Sequence, residues 1–296
     1  MHGWIILDKP VGLGSTQAVS AVKRALRTGE YPKRKVGHGG TLDPLASGVL
    51  PIAVGEATKL AGRMLDSDKV YDFTLTFGAQ TDTLDGEGEV IATSDHRPTL
   101  AEVEAVLARF TGPIDQVPPA YSALKVDGKR AYDLARAGEE VELATRAVTI
   151  YSLTVARADE GPLNAVTLIA HVSKGTYIRS LARDIAQALG TVGHVTMLHR
   201  VKAGPFGLEQ AISLDKLDEM AKARDLEAVC LPIRTGLDDI PALALDPDQA
   251  GLLRQGRQLV GITADDGPAF AMLDDVPIAL VEVSDRMVRV VRGFNL

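Results

Sequence analysis

An α+β fold closed by a small all-β module is what this chain predicts, on three observations. Strand-like and helix-like segments are mixed without a regular βαβ rhythm, so a doubly wound sheet is not indicated. The composition is that of a globular protein, 46% hydrophobic and 24% charged, and 296 residues is near the size at which one core gives way to two. Around Leu237 a loop rich in Asp and Pro begins, and only short strand-like pieces follow it. The expected division is residues 1–236 and residues 237–296, the second part at the low end of domain size.

Each element has its own signal. GWIIL (residues 3–7) is a short apolar run, hence a buried strand, and DKPVG after it carries turn chemistry. In STQAVSAVKRALR, Ser15 is the expected N-cap; Val19, Val22 and Leu26 share one helical face, with Lys23, Arg24 and Arg27 turned elsewhere. YPKRK (residues 31–35) is a basic loop. KVYDFTLTFG alternates as a strand, and TDTLDGEGE is a polar turn. TLAEVEAVLARF opens on a capping box, Thr99 with Glu102. The stretch 119–142, with its prolines, Asp-Gly turn and interleaved Tyr, Lys and Arg, is an excursion from the core. RAVTIYSLTVA and NAVTLIAHVS are strands. A helix follows SKGT, with Ile178, Leu181, Ala182, Ile185 and Leu189 as its stripe and Gly190 as its stop. HVTMLHRV is a further strand and SLDKLDEMAKAR a polar, peripheral helix. QLVGI, AFAML, IALVEVS and MVRVVRGF supply the terminal module.

Several function classes fall away. One cysteine, Cys230, forms no intramolecular disulfide and suits a reducing compartment. MHGWIILDKPVG lacks a basic n-region, and no apolar run approaches the ~18 residues of a membrane span, so a cytoplasmic protein is expected. Neither GxxxxGK[ST] nor GxGxxG occurs. DTLDGEGE has the wrong acid spacing for a calcium loop, and His194 and His199 have the wrong spacing for a zinc helix. Chemistry without metal or nucleotide cofactor is the expectation. The net charge is −7, yet residues 1–63 hold nine Lys and Arg against four Asp and Glu. Affinity for phosphates follows local basic surface, so an RNA partner stays open.

The stretch GHGGTLDPLASG sets a lone carboxylate, Asp43, between glycines and small residues. Asp-Pro is ordinarily a turn pair. Against that, the glycines permit close approach of a ligand, and ASG leaves room for a planar group. KGTYIRSLARD places Arg179 in a first helical turn, where the macrodipole disfavours a cation, so a buried carboxylate partner elsewhere is expected. Asp43 is the candidate, since an arginine favours the ionised form of a carboxylate beside it. Tyr71 and Tyr177 stand beside basic residues, either as half-buried core tyrosines or as stacking groups. The excursion 119–142 has the composition of a nucleic-acid clamp.

GWIILDKPVGLGST, KVGHGGTLDPLASGVLPIAVGEATK, KVYDFTLTFGAQTDT, PPAYSALKVDGKRAYDLAR and SKGTYIRSLARDIAQALG, in that order, closely resemble the TruB family of pseudouridine synthases, over residues 3 to about 204. TLDPLASG stands where other groups of synthase carry R-L-D-x-x-T-S-G. The resemblance implies the pseudouridine synthase fold: a mixed, largely antiparallel central sheet, flanking helices, a thumb-like insertion at about 119–142, and a PUA-like β domain at 237–296. It implies isomerisation of a uridine in the T-loop of tRNA, at position 55, with no cofactor. Asp43 matches the catalytic aspartate, Arg179 its ion-pair partner, and Tyr71 the catalytic tyrosine that stacks on the target base and is a candidate for proton transfer. Tyr177 and Leu198 line the same pocket, and His38 matches the residue that enters the space a flipped base leaves. Lys125, Lys129 and Arg130 lie in the RNA-gripping segment, where they would position phosphates. Lys9, with Pro10, belongs to a KP motif that supports the pocket and is a weaker candidate for RNA contact. The T-arm of tRNA is the implied partner, with the acceptor stem reached by the terminal module. A monomer without an obligate protein partner is expected. A guide-RNA-dependent enzyme and a catalytically idle RNA chaperone are the alternatives. The clamp-like segment speaks against the first, and the set Asp43, Tyr71 and Arg179 against the second.

Overall fold

The computed structural model describes residues 1–121 and 143–296, together with two short strands between them. In chain order the elements are β1 (Gly3–Lys9), α1 (Ser15–Thr28), β2 (Val36–His38), β3 (Ser47–Val54), α2 (Ala61–Asp66), β4 (Lys69–Phe77), β5 (Ala79–Thr81), β6 (Val90–Thr93), α3 (Leu100–Leu107) and β7 (Gly112–Gln116). There follow β8 (Lys125–Val126), β9 (Lys129–Arg130), β10 (Arg146–Ala158), β11 (Ala165–Val172), α4 (Ile178–Ala188), β12 (Gly193–Ala203), β13 (Phe206–Gly207) and α5 (Leu214–Ala223). The chain ends with β14 (Ala242–Ala244), α6 (Pro247–Arg254), β15 (Leu259–Val260), β16 (Gly267–Leu273), β17 (Val276–Ser284) and β18 (Met287–Gly293).

Nine strands form the central sheet in the order β1-β3-β12-β4-β11-β10-β7, with β2 on β3 and β13 on β12. Every pairing is antiparallel except β3 with β12, which meet in parallel over Ser47–His199 and Gly48–Arg200. That short seam joins the two halves of the sheet. Gly48 is required there: its φ is +100°, and a Cβ would lie 2.2 Å from the carbonyl oxygen of Arg200.

The continuous apolar run of β1 has a simple cause. Its side chains alternate, and both faces are covered. Ile5 and Leu7 join the main core under α1, α3, α4 and α5, while Trp4 and Ile6 join a second cluster on the opposite face. That second cluster includes Phe206, Leu237, Phe270, Met272 and Phe294, so the terminal five-stranded sheet, β14-β16-β17-β18-β15, packs on the back of β1 and β3. Farther along, the back of the sheet carries hydroxyl pairs instead, Thr74 with Thr167 (2.9 Å) and Thr76 with Thr196 (2.8 Å).

Two expectations change. Ser15 is not the N-cap of α1: Gly14 holds that place, and Ser15 Oγ both donates to the Leu42 carbonyl (2.9 Å) and accepts from the Leu42 N–H (2.8 Å). The terminal unit also contains a helix, α6, begun by Asp246 accepting from the Gln249 N–H with Pro247 at the first helical position. No helix among the described residues is long and apolar enough to cross a membrane.

Candidate active site

The odd-numbered residues of β4 lead from core to cavity. Phe77, Phe73 and Leu75 are buried under the helices, and Tyr71 and Lys69 continue the same face into a cavity of about 530 Å³. Asp43, Tyr177, Arg179, Leu198 and Arg200 also line it. A volume of this size suits a small planar ligand. The structure thus brings Asp43, Tyr71, Tyr177, Arg179 and Leu198 to one place.

Arg179 sits at the centre of the polar contacts. It enters in the first turn of α4, is 6% exposed, and bridges two carboxylates: Nη2 lies 2.9 Å from Asp43 Oδ2 and Nη1 lies 3.2 Å from Asp85 Oδ2. It also donates to the carbonyls of Thr83 (2.9 Å) and Tyr121 (3.0 Å). The buried carboxylate expected opposite this arginine is therefore Asp85, whose side chain is 3% exposed; that of Asp43 is 41% exposed and faces the cavity. Sequence reasoning missed Asp85, because an aspartate in TDTLDGEGE reads as a solvated turn. In the fold that turn is tied down. Asp85 Oδ1 accepts from Thr83 Oγ1 (2.6 Å) and the Glu87 N–H (3.0 Å), and Leu84 carries a strained φ of +63° beside it.

The Asp43 loop is held from below by buried cations. Arg200, 1% exposed, donates to the carbonyls of Val49 (2.8 Å), Thr41 (3.3 Å) and Gly40 (3.2 Å). Lys9, 0% exposed, donates to those of Pro10 (2.9 Å), Leu13 (2.7 Å) and Pro44 (3.5 Å). Burial pushes its ammonium down to about 8, with Asp43 opposing that shift and Arg200 adding to it. Lys9 therefore offers no surface to RNA, and its place among the RNA-contact candidates is corrected: its donors are occupied by the loop backbone. Lys69 plays the same part at the end of α2, donating to the carbonyls of Met64 (2.8 Å), Leu65 (2.9 Å) and Ser67. Its ammonium too is pushed down to about 8, by burial first and by Arg200 next. Arg200 was also missed, since its three carbonyl partners lie some 150 residues earlier in the chain and leave no local signal.

The remaining candidates fall in three places. Tyr177 is fixed through its backbone, accepting from Gln116 Nε2 (3.1 Å) and donating to Gln116 Oε1 (2.8 Å). His38 lies at the end of β2, outside the cavity lining, with Nδ1 buried and without a hydrogen-bond partner among the described residues. Burial and then Arg200 lower its pKa, which favours the neutral imidazole. Lys125, Lys129 and Arg130 belong to the paired strands β8 and β9, in register Lys125–Arg130 and Val126–Lys129; their side chains, and residues 122–124, 127–128 and 131–142 of the expected clamp, lie outside the described residues.

Residues 25–178 match the model of the TruB family pseudouridylate synthase N-terminal domain, and residues 179–238 that of the tRNA pseudouridylate synthase B C-terminal domain. The boundary between those two models does not divide the structure, since β12 lies in the middle of the central sheet. The chain is 66% identical to the tRNA pseudouridine synthase B of Novosphingobium aromaticivorans, with 100% of this chain and 98% of that one covered. It is 63% identical to the protein of that name from Zymomonas mobilis, with 100% and 96% covered. Among solved structures, a chain of an H/ACA RNP bound to a substrate RNA containing 2′-deoxyuridine shares the fold, at a TM-score of 0.75 and 24% identity, covering 99% of this chain and 85% of that one.

Proposed function

The chain belongs to the TruB family of pseudouridylate synthases, and we propose from that membership that it converts uridine 55 in the T-loop of tRNA to pseudouridine. The observation that carries the reading is Asp43: a carboxylate open to a cavity, held at one oxygen by a buried arginine, on a loop pinned by two further buried cations. The reaction breaks the N1–C1′ bond, turns the base and joins C5 to C1′; C5 loses a proton and N1 carries one in the product. Nothing is oxidised or reduced and no group leaves, so we assign no cofactor.

In this scheme the target nucleotide is flipped out of the folded loop into the cavity. Asp43 is the nucleophile, attacking C1′ or C6. Arg179 holds the carboxylate in place and aims it. Tyr71 stacks on the base, Tyr177 and Leu198 close its sides, and neutral His38 moves into the vacated stack. Lys125, Lys129 and Arg130 position phosphates of the T-arm. Residues 1–236 act as the catalytic unit and residues 237–296 as a unit that reaches the acceptor stem, where the exposed Arg254, Arg257, Arg286, Arg289 and Arg292 are available. We assign the enzyme to the cytoplasm, acting as a monomer.

Chemical mapping of pseudouridine on a tRNA transcript tests this. The intact protein, without added metal or nucleotide, is expected to modify position 55 alone. Modification elsewhere, or none, would contradict the assignment.

A further inference from the structure

Away from the cavity, α1 and the loop after it enclose a second depression, of about 790 Å³, bordered by Lys23, Arg27, Lys33, Arg34 and Lys35, with no carboxylate among the described residues that line it. Leu26 and Val36 give it an apolar floor. All but Arg34 of these cations are exposed, and none of the five forms an ion pair among the described residues. Some surface cations elsewhere on this acidic chain are matched, as Arg63 is with Asp239, Lys174 with Asp66 and Arg234 with Asp275, while others such as Arg254 and Arg289 form no ion pair among the described residues. Glu30, the acid nearest in sequence to the basic loop, is taken by Arg224. Arg34 Nε is buried and has no hydrogen-bond partner among the described residues, a donor left over at the groove itself. Five like charges crowded together repel one another, and a bound polyanion removes that repulsion.

The position narrows the partner. Val36, in the groove, pairs with Val54 at one end of β3, whereas the Asp43 loop joins β3 at Ser47. At ~3.3 Å per strand residue the groove stands roughly 20 Å from the catalytic end. A stem-loop with its uridine in the cavity is held at the catalytic end; a larger folded RNA extends past it along the protein. We propose that this groove is a second RNA-binding surface, which takes the phosphate backbone of tRNA outside the T-arm through Lys23, Arg27, Lys33, Arg34 and Lys35. The inference rests on the reading of the cavity as a site for a tRNA uridine.

The test compares whole tRNA with an isolated T-arm stem-loop, for the intact protein and for the pairs Lys23→Glu/Arg27→Glu and Lys33→Glu/Lys35→Glu. Affinity for whole tRNA is expected to fall at least ~tenfold in each pair, and the log–log salt slope to become shallower by about two, one for each phosphate contact removed. Affinity for and turnover of the stem-loop should stay within twofold, which also shows that the variants fold. Unchanged affinity for whole tRNA would overturn the proposal, as would an equal loss on the stem-loop, since the cations would then supply only a general field. Lost binding to vesicles of phosphatidylserine, with tRNA affinity intact, would assign the groove to a membrane surface instead. Failure of the intact protein to modify either RNA would overturn the catalytic reading itself, an outcome separate from the others.

Discussion

The loop 39–46 and the turn 82–89 each deliver one aspartate to the guanidinium of Arg179, and the two carboxylates are treated differently by what surrounds them. Asp85 is closed in, with a threonine hydroxyl and a backbone N–H on its other oxygen. Asp43 has its arginine on one side and the cavity on the other. A buried carboxylate with both oxygens engaged is a strut; one with a free edge in a cavity is available for chemistry. The difference also locates the rigidity. Asp85 holds Arg179, Arg179 holds Asp43, and Arg200 and Lys9 hold the backbone on which Asp43 stands.

The harshest way to break this comparison is to remove the shared partner. Arg179→Met leaves Asp85 buried without its cation, and should lower stability by about 3–5 kcal/mol in urea denaturation while abolishing turnover. A variant as stable as the parent would mean that the two aspartates are not held through this arginine.

Asp85→Asn is gentler and more informative. The amide keeps the shape but loses the charge, so stability should fall by about 1–3 kcal/mol. Turnover should drop on the order of 10- to 100-fold through misplacement of Arg179, with RNA affinity unchanged. Complete loss of turnover at full stability would put Asp85 on the same footing as Asp43.

What the sequence could show follows from where each signal lies. β1, β4, α3 and α4 announce themselves by an apolar run, alternation, a capping box and an apolar stripe, all local, whereas β2, β3 and β7 went unread. Arg179 was legible as a residue awaiting a carboxylate because a cation in a first helical turn opposes the dipole. Its buried partner was not, since one acid in a turn of four looks solvated until the fold closes over it. Arg200 was illegible as a loop support because carbonyls have no letter in a sequence, and Lys9 was read as a pocket support only through the KP motif of the family resemblance. Ser15 looked like a cap for its own helix and instead ties α1 to Leu42, next to Asp43. α6 was passed over although Asp246-Pro247 carried its start signal; GLLRQG after it is too short to show a stripe.

The smallest expected effect concerns the far wall. Gln116→Ala removes two hydrogen bonds to the Tyr177 backbone and should cost about 1–3 kcal/mol, raising KM for the stem-loop a few-fold with kcat little changed. A larger fall in kcat than in affinity would show that Tyr177 does more than line the cavity.

One measurement bears most directly on Asp43: release of tritium from C5 of the target uridine in a T-arm stem-loop, by the intact protein and by Asp43→Ala. C5 must lose its hydrogen to become the glycosidic carbon, so release counts isomerisation events. The account predicts release by the intact protein and none by the variant, with stem-loop affinity and thermal stability retained. Release by the variant at a comparable rate would contradict it.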